Sequence, residues 1–265
     1  MAIYAEYIVD QREWAKIRVV GNDSERFLQG LCTNDLSALG VGAFCRASIL
    51  NQKGRVLSVV DVVRVEGAFH LFCEPVLGEK TAQILQRYQM MDEVAFSEIE
   101  EPMYRRWGAP ESVWDAPPIL GALPAPAASA TEVEIRRVEA GLPKYGADVD
   151  EGNFPFESIL ENAIDYKKGC YIGQEPVYRV YAKGSPAKFL RTLEIRCDEK
   201  VPVGAAVVAG EKKVGTITSS ALSPTRGSLA LAYIKKAAWD PGTEVQVEGH
   251  TAVVQRSPNT KIPED

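Results

Sequence analysis

Histidine and cysteine are scarce in this sequence of 265 residues, which has two histidines and five cysteines. The cysteines are odd in number and no two form a C-x-x-C pair, so neither a disulfide framework nor a structural zinc motif is present. His70 and His250 have no serine or cysteine near them in sequence that would suggest a catalytic triad. We therefore expect a reducing compartment, the cytoplasm, and no bound metal.

Long apolar runs are also missing. No run approaches the roughly 20 residues that a membrane-spanning helix needs, and the first six residues have neither a basic segment nor an apolar segment of the secretory type. The net charge of −6 disfavours direct binding to nucleic acid. These absences predict a soluble protein with no membrane partner and no nucleic-acid partner.

The residues that are present predict a mixed α+β protein. Hydrophobic residues make up 46% and charged residues 25%, as in ordinary globular proteins. Asp23 or Ser24 can cap a helix, and the valine-rich segment Val56–Val65 is typical of a buried strand. Val133–Val138 also predicts a strand. A series of short strands follows and predicts a small β-barrel: Phe189–Cys197, Ala206–Ala209, Val214–Thr218, Leu229–Ile234, Val245–Glu248 and Ala252–Gln255.

Residues 108–130 are rich in proline, alanine and glycine. This composition predicts an irregular surface connection. We divide the chain into residues 1–185, with two subdomains on either side of this connection, and residues 186–265, the barrel.

The most informative segment carries a thiol, two glycines, an amide and a carboxylate within eight residues: Lys168, Gly169, Cys170, Tyr171, Ile172, Gly173, Gln174 and Glu175. Gly169 and Gly173 permit tight turns, and Pro176 suits the first turn of a helix. The segment therefore predicts a loop entering a helix. Lys167 and Lys168 would favour a Cys170 thiolate, although most such cysteines are small buried hydrophobic residues.

This string resembles the fingerprint K-G-C-Y-x-G-Q-E of the YgfZ family, the folate-binding relatives of the glycine cleavage T-protein (aminomethyltransferase). Four further segments resemble family motifs in family order: R-F-L-Q-G-L-C-T-N-D from Arg26, N-Q-K-G-R-V from Asn51, R-V-E-A-G-L-P-K-Y-G from Arg137, and V-G-T-I-T-S-S-A-L-S-P from Val214. The resemblance spans most of the chain except about residues 103–130 and the last few residues.

The resemblance implies a fold and a function. The fold is a T-protein-like cloverleaf of subdomains around a folate channel, with a C-terminal β-barrel. The function is binding of tetrahydrofolate by an accessory protein for assembly or repair of iron–sulfur clusters. The partners would be iron–sulfur client or assembly proteins, with effects on tRNA-modifying enzymes. The alternative is a folate-dependent, aminomethyltransferase-like one-carbon transferase.

The resemblance also implies the folate-binding residues. Glu157 stands where the family has a carboxylate that accepts hydrogen bonds from the pterin ring, although it could be an exposed acid at a helix start. Tyr145 and Tyr171 could wall a flat ligand or be half-buried core residues. Arg179 could pair with a ligand carboxylate or only neutralise Glu175.

A basic stretch follows the same region. Only one acid, Glu175, lies among the cations Lys167, Lys168, Arg179, Lys183, Lys188 and Arg191. With the family resemblance, this stretch suggests the glutamate tail of a folate as ligand. The alternative is a solvated surface with scattered cations.

One family feature is missing. Aminomethyltransferases carry paired aspartates in the strand after the N-terminal hairpin, and Ser58 and Val59 stand there in this chain. Neither side chain can handle a proton at neutral pH. Asp61 lies further along and would need a register shift to replace them. We therefore expect no glycine-cleavage activity, and we assign Cys170 as a reactive thiol beside the folate.

Overall fold

The N-terminal region is built on antiparallel sheets in the computed structural model, which describes residues 6–184, 186–256 and 258. Its strands and helices are β1 (Tyr7–Asp10), β2 (Ala15–Val20), α1 (Ser24–Leu31), β3 (Phe44–Leu50), β4 (Val56–Val65), β5 (Ala68–Cys73), α2 (Gly78–Tyr88), β6 (Ala95–Glu98), β7 (Met103–Trp107) and β8 (Ile119–Leu120). Five of the strands form one sheet in the order β3-β4-β5-β2-β6, and three form a second sheet in the order β1-β7-β8.

The helices α1 and α2 cover one face of the five-stranded sheet. The spacing of Phe27, Leu28 and Leu31 places all three on one side of α1, where they are buried against the sheet. The predicted cap works differently from expectation. Asp23 is the residue before the first helical turn, but its carboxylate accepts the backbone N–H of Glu93 (2.8 Å) and makes no cap within α1.

The proline-rich connection is mostly irregular, as predicted. It contains a short 3-10 helix, Pro110–Ser112, and the strand β8, which pairs with β7. The sequence patterns did not predict β1 or β7, because each is short and lies near the edge of the recognisable motifs. Together these strands form a second wall facing the main sheet.

The predicted strand at Val133–Val138 is wrong, because these residues belong to the helix α3 (Ala130–Glu139). A reciprocal capping box starts this helix. Ser129 Oγ accepts the Glu132 N–H (3.3 Å), and the Glu132 carboxylate accepts the Ser129 N–H (2.7 Å). The valines favoured a strand by composition, but the S-x-x-E pattern before them is a helix-start signal and it prevails.

The remaining elements include the predicted barrel. After α4 (Gln174–Lys183), six strands close on themselves in the order β10-β11-β12-β9-β14-β13. They are β9 (Lys188–Ile195), β10 (Ala206–Ala209), β11 (Lys212–Ser223), β12 (Gly227–Lys235), β13 (Glu244–Val247) and β14 (His250–Gln255). Apolar side chains such as Leu193, Val207 and Ile234 fill the interior, as expected of a small closed barrel. Helix α3 packs on β11 and β12.

The longest helix of the described residues is α2, with 11 residues. None of the helices there combines the length and the apolar character that crossing a membrane requires.

Candidate functional site

A cavity of about 200 Å³ lies where the two N-terminal sheets meet α3. We call it the central cavity. A single water needs only about 10–15 Å³ on this kind of measure, so the space is far larger than a packing defect. Its lining includes Val9, Asp10, Gln11, Trp14, Arg46, Val59, Asp61, Glu74, Arg105, Trp107, Val133, Glu134, Arg137, Leu142, Pro143, Lys144, Tyr145, Val149 and Leu160.

One wall of the central cavity carries Val59, one of the two residues that the sequence places at the positions of the paired aspartates. Side chains alternate across a strand, and Ser58 therefore points to the opposite face. Its hydroxyl lies 2.7 Å from the Thr81 hydroxyl in the buried core. Asp61 shares the face of Val59 and also lines the cavity, and the pairing of β3 with β4 is regular from Val59 to Asp61. The sheet therefore does present one carboxylate there.

That carboxylate is held by two arginines. Asp61 accepts Arg46 Nε (2.7 Å) on Oδ1 and Arg105 Nη2 on Oδ2. Burial alone would raise the pKa of Asp61, but Arg105 and Arg46 outweigh that effect and lower it. Asp61 is therefore an ionised member of a buried ion-pair cluster and is not free to act as a base.

Glu74 is a second buried acid in the cavity wall. It follows β5, and its Oε1 accepts the backbone N–H of Tyr145 (3.0 Å). Burial raises the pKa of Glu74. Perturbed acids in cavities are typical of functional sites. No motif in the sequence marked Glu74, because its environment is created by residues 71 positions away.

Arg137 connects the cavity to the barrel. Its guanidinium donates to Asp148 Oδ2 (2.7 Å) and to Ser219 Oγ (2.8 Å) of β11. Ser219 in turn donates to Asp148 Oδ1 (2.7 Å). Tyr145 belongs to the same family-like segment and lines the cavity, with its hydroxyl accepting from Lys80 Nζ (3.0 Å). The segment from Arg137 to Tyr145 therefore lines the cavity and also connects it to the barrel.

Glu157 lies outside the lining of the central cavity, in a neighbouring group that we call the Glu157 cluster: Glu157, Lys188 and Tyr233. Glu157 is only 6% exposed. Its Oε2 accepts the Phe154 N–H (3.2 Å) and lies 3.9 Å from Lys188 Nζ. Its Oε1 accepts no hydrogen bond within the described part of the chain.

The other members of the Glu157 cluster stack on each other. Lys188 Nζ lies 4.3 Å from the centre of the Tyr233 ring. The Tyr233 hydroxyl is buried and has no hydrogen-bond partner among residues 6–184, 186–256 and 258. Burial and the nearby Glu157 carboxylate raise the pKa of Tyr233, so the phenol stays protonated. The cluster thus combines a buried carboxylate with a buried phenol whose hydroxyl lacks a partner in the described residues.

The fingerprint loop, Lys168–Glu175, is bound tightly to the N-terminal region. Lys168 is buried, and its Nζ donates to three backbone carbonyls, those of Gln29 (2.8 Å), Cys32 (2.6 Å) and Asn34 (2.8 Å). Ile172 donates its N–H to Gly30 (3.0 Å). Lys168 therefore anchors the loop on the end of α1.

A glycine contact fixes the other end of the fingerprint loop. Gly173 has φ +80° and starts α4. A Cβ at Gly173 would lie 2.4 Å from the Asn51 carbonyl oxygen and 3.3 Å from Gly54. This close approach of two family-like segments requires glycine at position 173.

Cys170 stands at the exposed tip of this braced loop. By contrast, Cys32 and Cys73 are buried, and burial raises the pKa of Cys32 to about 11. Within the described residues, no group of three or more His, Cys, Asp and Glu is arranged to hold a metal ion. Cys170 is therefore an exposed thiol between two residues, Lys168 and Ile172, that hydrogen-bond to the N-terminal region.

The other predicted ligand residues are dispersed. Tyr171 is buried in the core with Leu160 and Val177. Arg179 is exposed and pairs with Glu175 (3.2 Å) on the outer face of α4. Gln174 opens the same helix. Only Tyr145 lines the central cavity directly.

The basic stretch does not form one patch. Lys168 binds carbonyls of α1, Lys188 belongs to the Glu157 cluster, and Arg191 donates to the Trp239 carbonyl (2.9 Å). The side chain of Lys183 lies outside the described residues. These three cations, which are close in sequence, each contact a different part of the structure.

Comparison with known proteins gives the fold family. Residues 5–104 match the GCVT N-terminal domain, and residues 188–258 match the glycine cleavage T-protein C-terminal barrel domain. The chain is T-protein-like in both regions. The overall fold is similar to that in the crystal structure of glycine cleavage system aminomethyltransferase T from Bartonella henselae, with a TM-score of 0.82. The two sequences are 18% identical, and the superposition covers 98% of this chain and 87% of that chain.

Sequence relatives agree with this T-protein-like assignment. An uncharacterized protein of Haemophilus influenzae is 23% identical over 250 residues, which is 78% of this chain and 82% of that protein. An aminomethyltransferase of Corynebacterium aurimucosum is 37% identical over 114 residues, 42% of this chain and 30% of the relative. One from Rubrobacter xylanophilus is 26% identical over 227 residues, 85% of this chain and 51% of the relative. The chain thus spans about a third to a half of these two enzymes.

Proposed function

We propose that this protein binds a reduced folate, tetrahydrofolate or a derivative, between the Glu157 cluster and the central cavity. The observation that carries the proposal is the buried Glu157 carboxylate, with Lys188 3.9 Å away, beside a Tyr233 hydroxyl that has no hydrogen-bond partner in the described residues. The T-protein-like fold and the aminomethyltransferase relatives support it.

The residues present suit a pterin ring. A pterin has an edge of adjacent N–H donors, which an ionised carboxylate accepts strongly. Lys188, 3.9 Å from Glu157, offsets the charge of that carboxylate. Tyr233 offers a hydroxyl to the ring, and Tyr145 offers an aromatic face on the cavity side. The ligand would supply the one-carbon chemistry; the protein orients it and limits its contact with water.

We further propose that the site does not carry out glycine cleavage. Val59 cannot move a proton, and Asp61 is neutralised by Arg46 and Arg105. A methylene-transfer assay with tetrahydrofolate and the aminomethylated lipoyl carrier tests this. We expect no transfer, whereas turnover at the rate of an aminomethyltransferase run in parallel would contradict it.

The second candidate is one-carbon transfer of another kind, and Glu74 is the observation that favours it. A buried acid with a raised pKa at the cavity wall is suited to general acid–base work. If such transfer exists, the Glu74→Gln variant loses the rate while folate affinity stays within about twofold. Equal rates in both proteins would exclude Glu74 from the chemistry.

For the cellular role, we propose an accessory factor for iron–sulfur proteins, in which the Cys170 thiol acts near the folate. The support is the exposure of Cys170 on a loop whose ends, at Lys168 and Gly173, contact the N-terminal region. Thiolate is a good ligand for iron, but clusters take about four thiolates. A client or assembly protein must therefore supply the others.

Complementation of a strain lacking the gene tests the role of the thiol. We expect Cys170→Ala to abolish complementation while folate affinity is unchanged. Cys197→Ala is the matched control, because Cys197 lies in the barrel region with its thiol against the Glu199 carbonyl (3.2 Å). Full complementation by Cys170→Ala would reject thiol chemistry and leave a folate-binding module.

A further inference from the structure

Arg46 presents an unused donor in the wall of the central cavity. The residue is 9% exposed, and its Nε and Nη2 hold Asp61 (2.7 and 3.4 Å). Its Nη1 is buried and has no hydrogen-bond partner in the part of the chain that the structure describes. The guanidinium lies 4.4 Å from the centre of the Trp114 ring, which fixes its plane. Buried donors normally have an acceptor, so this atom marks a site that a ligand completes.

The neighbouring arginine has no such free donor. Arg105 gives Nε to Gln11 (2.7 Å), Nη1 to the Ala116 carbonyl and Nη2 to Asp61. Asp61 therefore serves two guanidinium groups with one negative charge, and the cluster of Arg46, Arg105 and Asp61 has an excess of one positive charge. An excess positive charge away from water attracts an anion.

Other acids near this cluster do not cancel the charge. Asp10 lines the cavity, but its carboxylate pairs with Arg12 (2.8 Å). Glu74 also lines the cavity, but its Oε1 is engaged by the Tyr145 N–H, and burial favours its protonated form. Glu134 pairs with Arg137 through both carboxylate oxygens (2.6 and 2.9 Å). Arg46 Nη1 and Trp107 Nε1 are thus buried donors of the lining for which the described structure provides no protein acceptor, and of the two only the Arg46 group carries a charge.

We propose that Arg46 binds a carboxylate of the cavity ligand. A guanidinium is the side chain best suited to a carboxylate, because its planar N–H groups match the oxygens. Two ligands could bring this group: the glutamate portion of a folate, or a small carboxylic acid bound beside the folate. The first source rests on the proposed function; the second does not.

Tryptophan fluorescence can report the binding directly. Trp14 and Trp107 line the cavity, and Trp114 contacts Arg46, so three of the four tryptophans lie at the site. The wild type and Arg46→Met are titrated with tetrahydrofolate, with 6-methyltetrahydropterin, which has no carboxylate, and with glycine or acetate.

The variant has a matched control. Arg64→Met changes an arginine of the adjacent strand β4 that does not line the cavity and pairs with Glu25 (2.8 Å). Arg46→Met leaves Asp61 with Arg105, a balanced pair, and the fold is expected to survive. Arg46→Lys keeps the charge, and its melting temperature and binding provide a second test if the methionine variant unfolds.

The outcomes separate the two sources. If the folate supplies the carboxylate, Arg46→Met weakens the binding of tetrahydrofolate by roughly 10- to 100-fold and leaves the affinity for 6-methyltetrahydropterin unchanged. If a separate acid supplies the carboxylate, glycine or acetate binds the wild type but not Arg46→Met, and the affinity for tetrahydrofolate is the same in both proteins. Arg64→Met matches the wild type in both cases.

The proposal can fail independently of the proposed function. Tetrahydrofolate binding to the wild type with no effect of Arg46→Met or Arg46→Lys on any ligand would overturn the role of Arg46 and leave folate binding intact. Absence of tetrahydrofolate binding to the wild type, together with retained binding of a small carboxylate that needs Arg46, would reject the folate and keep the carboxylate site.

Discussion

Lys168 and Cys170 stand two residues apart, yet one is buried and the other is exposed. The Lys168 ammonium is enclosed by three backbone carbonyls, whereas the Cys170 thiol faces outward. The sequence identified both as parts of one fingerprint and suggested that Lys168 activates the thiol. The structure gives Lys168 a different task, because its charge is already used to stabilise the end of α1.

Replacing Lys168 tests this structural task. We expect Lys168→Met to lower the free energy of unfolding by about 2–4 kcal/mol, because one buried and two partly buried carbonyls lose a charged donor. The exposed neighbour is the control, and Lys167→Met should change the free energy by less than about 0.5 kcal/mol. Urea denaturation measures both. Equal stabilities would show that Lys168 does not anchor the loop.

Glu74 predicts a pH dependence of stability. Burial raises its pKa in the folded state above the ordinary value of 4.5, so the folded protein binds this proton more tightly than the unfolded chain. Its contribution to stability is therefore fully present below pH 4.5 and is lost as pH rises through the raised pKa. Glu74→Gln keeps an acceptor for the Tyr145 N–H but has no proton to lose.

Urea denaturation over a pH series checks this prediction. The free energy of unfolding of Glu74→Gln, relative to the wild type, should increase from pH 4.5 upward and then level off. Other titrating groups are common to both proteins and cancel in the difference. A difference that stays flat with pH would mean that Glu74 titrates as an ordinary surface acid.

At the scale of elements, the contrast between α3 and the barrel strands shows which signals are reliable. The barrel strands are separated by turns, and the sequence located all six of them. Helix α3 was predicted as a strand from its valines, although Ser129 and Glu132 form a capping box that starts a helix. Intrinsic preference was outweighed by a local hydrogen-bond pair that composition does not reveal.

The start of α4 gives a prediction with a control in the same loop. Gly173→Ala should cost about 2–4 kcal/mol, because φ is +80° and the new Cβ meets the Asn51 carbonyl at 2.4 Å. Gly169→Ala should be nearly neutral, since no atom lies within 4 Å of the position of its Cβ. Melting temperatures of the two variants compare them. Similar losses of stability in both variants would refute the packing of the fingerprint loop against the turn between β3 and β4.

At the scale of the whole molecule, Arg137 links α3, Asp148 and the barrel. We expect Arg137→Met to destabilise the protein by about 3–5 kcal/mol, because Asp148 would remain buried without its ion-pair partner. Arg226→Met is the control. Its pair with Glu194 (3.5 Å) is partly exposed, and the cost should stay within about 1 kcal/mol. Denaturant midpoints that match in the two variants would contradict the link.

The sequence predicted the overall architecture better than the site. Motif resemblance located the T-protein-like fold, whereas its assignment of Glu157 and Tyr145 to a folate site stays a prediction. It did not identify Arg46, Glu74 or Tyr233, because their significance depends on neighbours that are distant in sequence and on donors left without acceptors. Pairing and burial of this kind arise only when the two sheets, α3 and the barrel come together.

The most direct test of the central claim is a calorimetric titration of tetrahydrofolate into the wild type and into Glu157→Gln. The account predicts saturable binding of one ligand to the wild type and roughly 10- to 100-fold weaker binding to Glu157→Gln, with similar melting temperatures, because the amide accepts the pterin N–H groups less strongly. Equal affinities in the two proteins, or no heat of binding to the wild type, would contradict it.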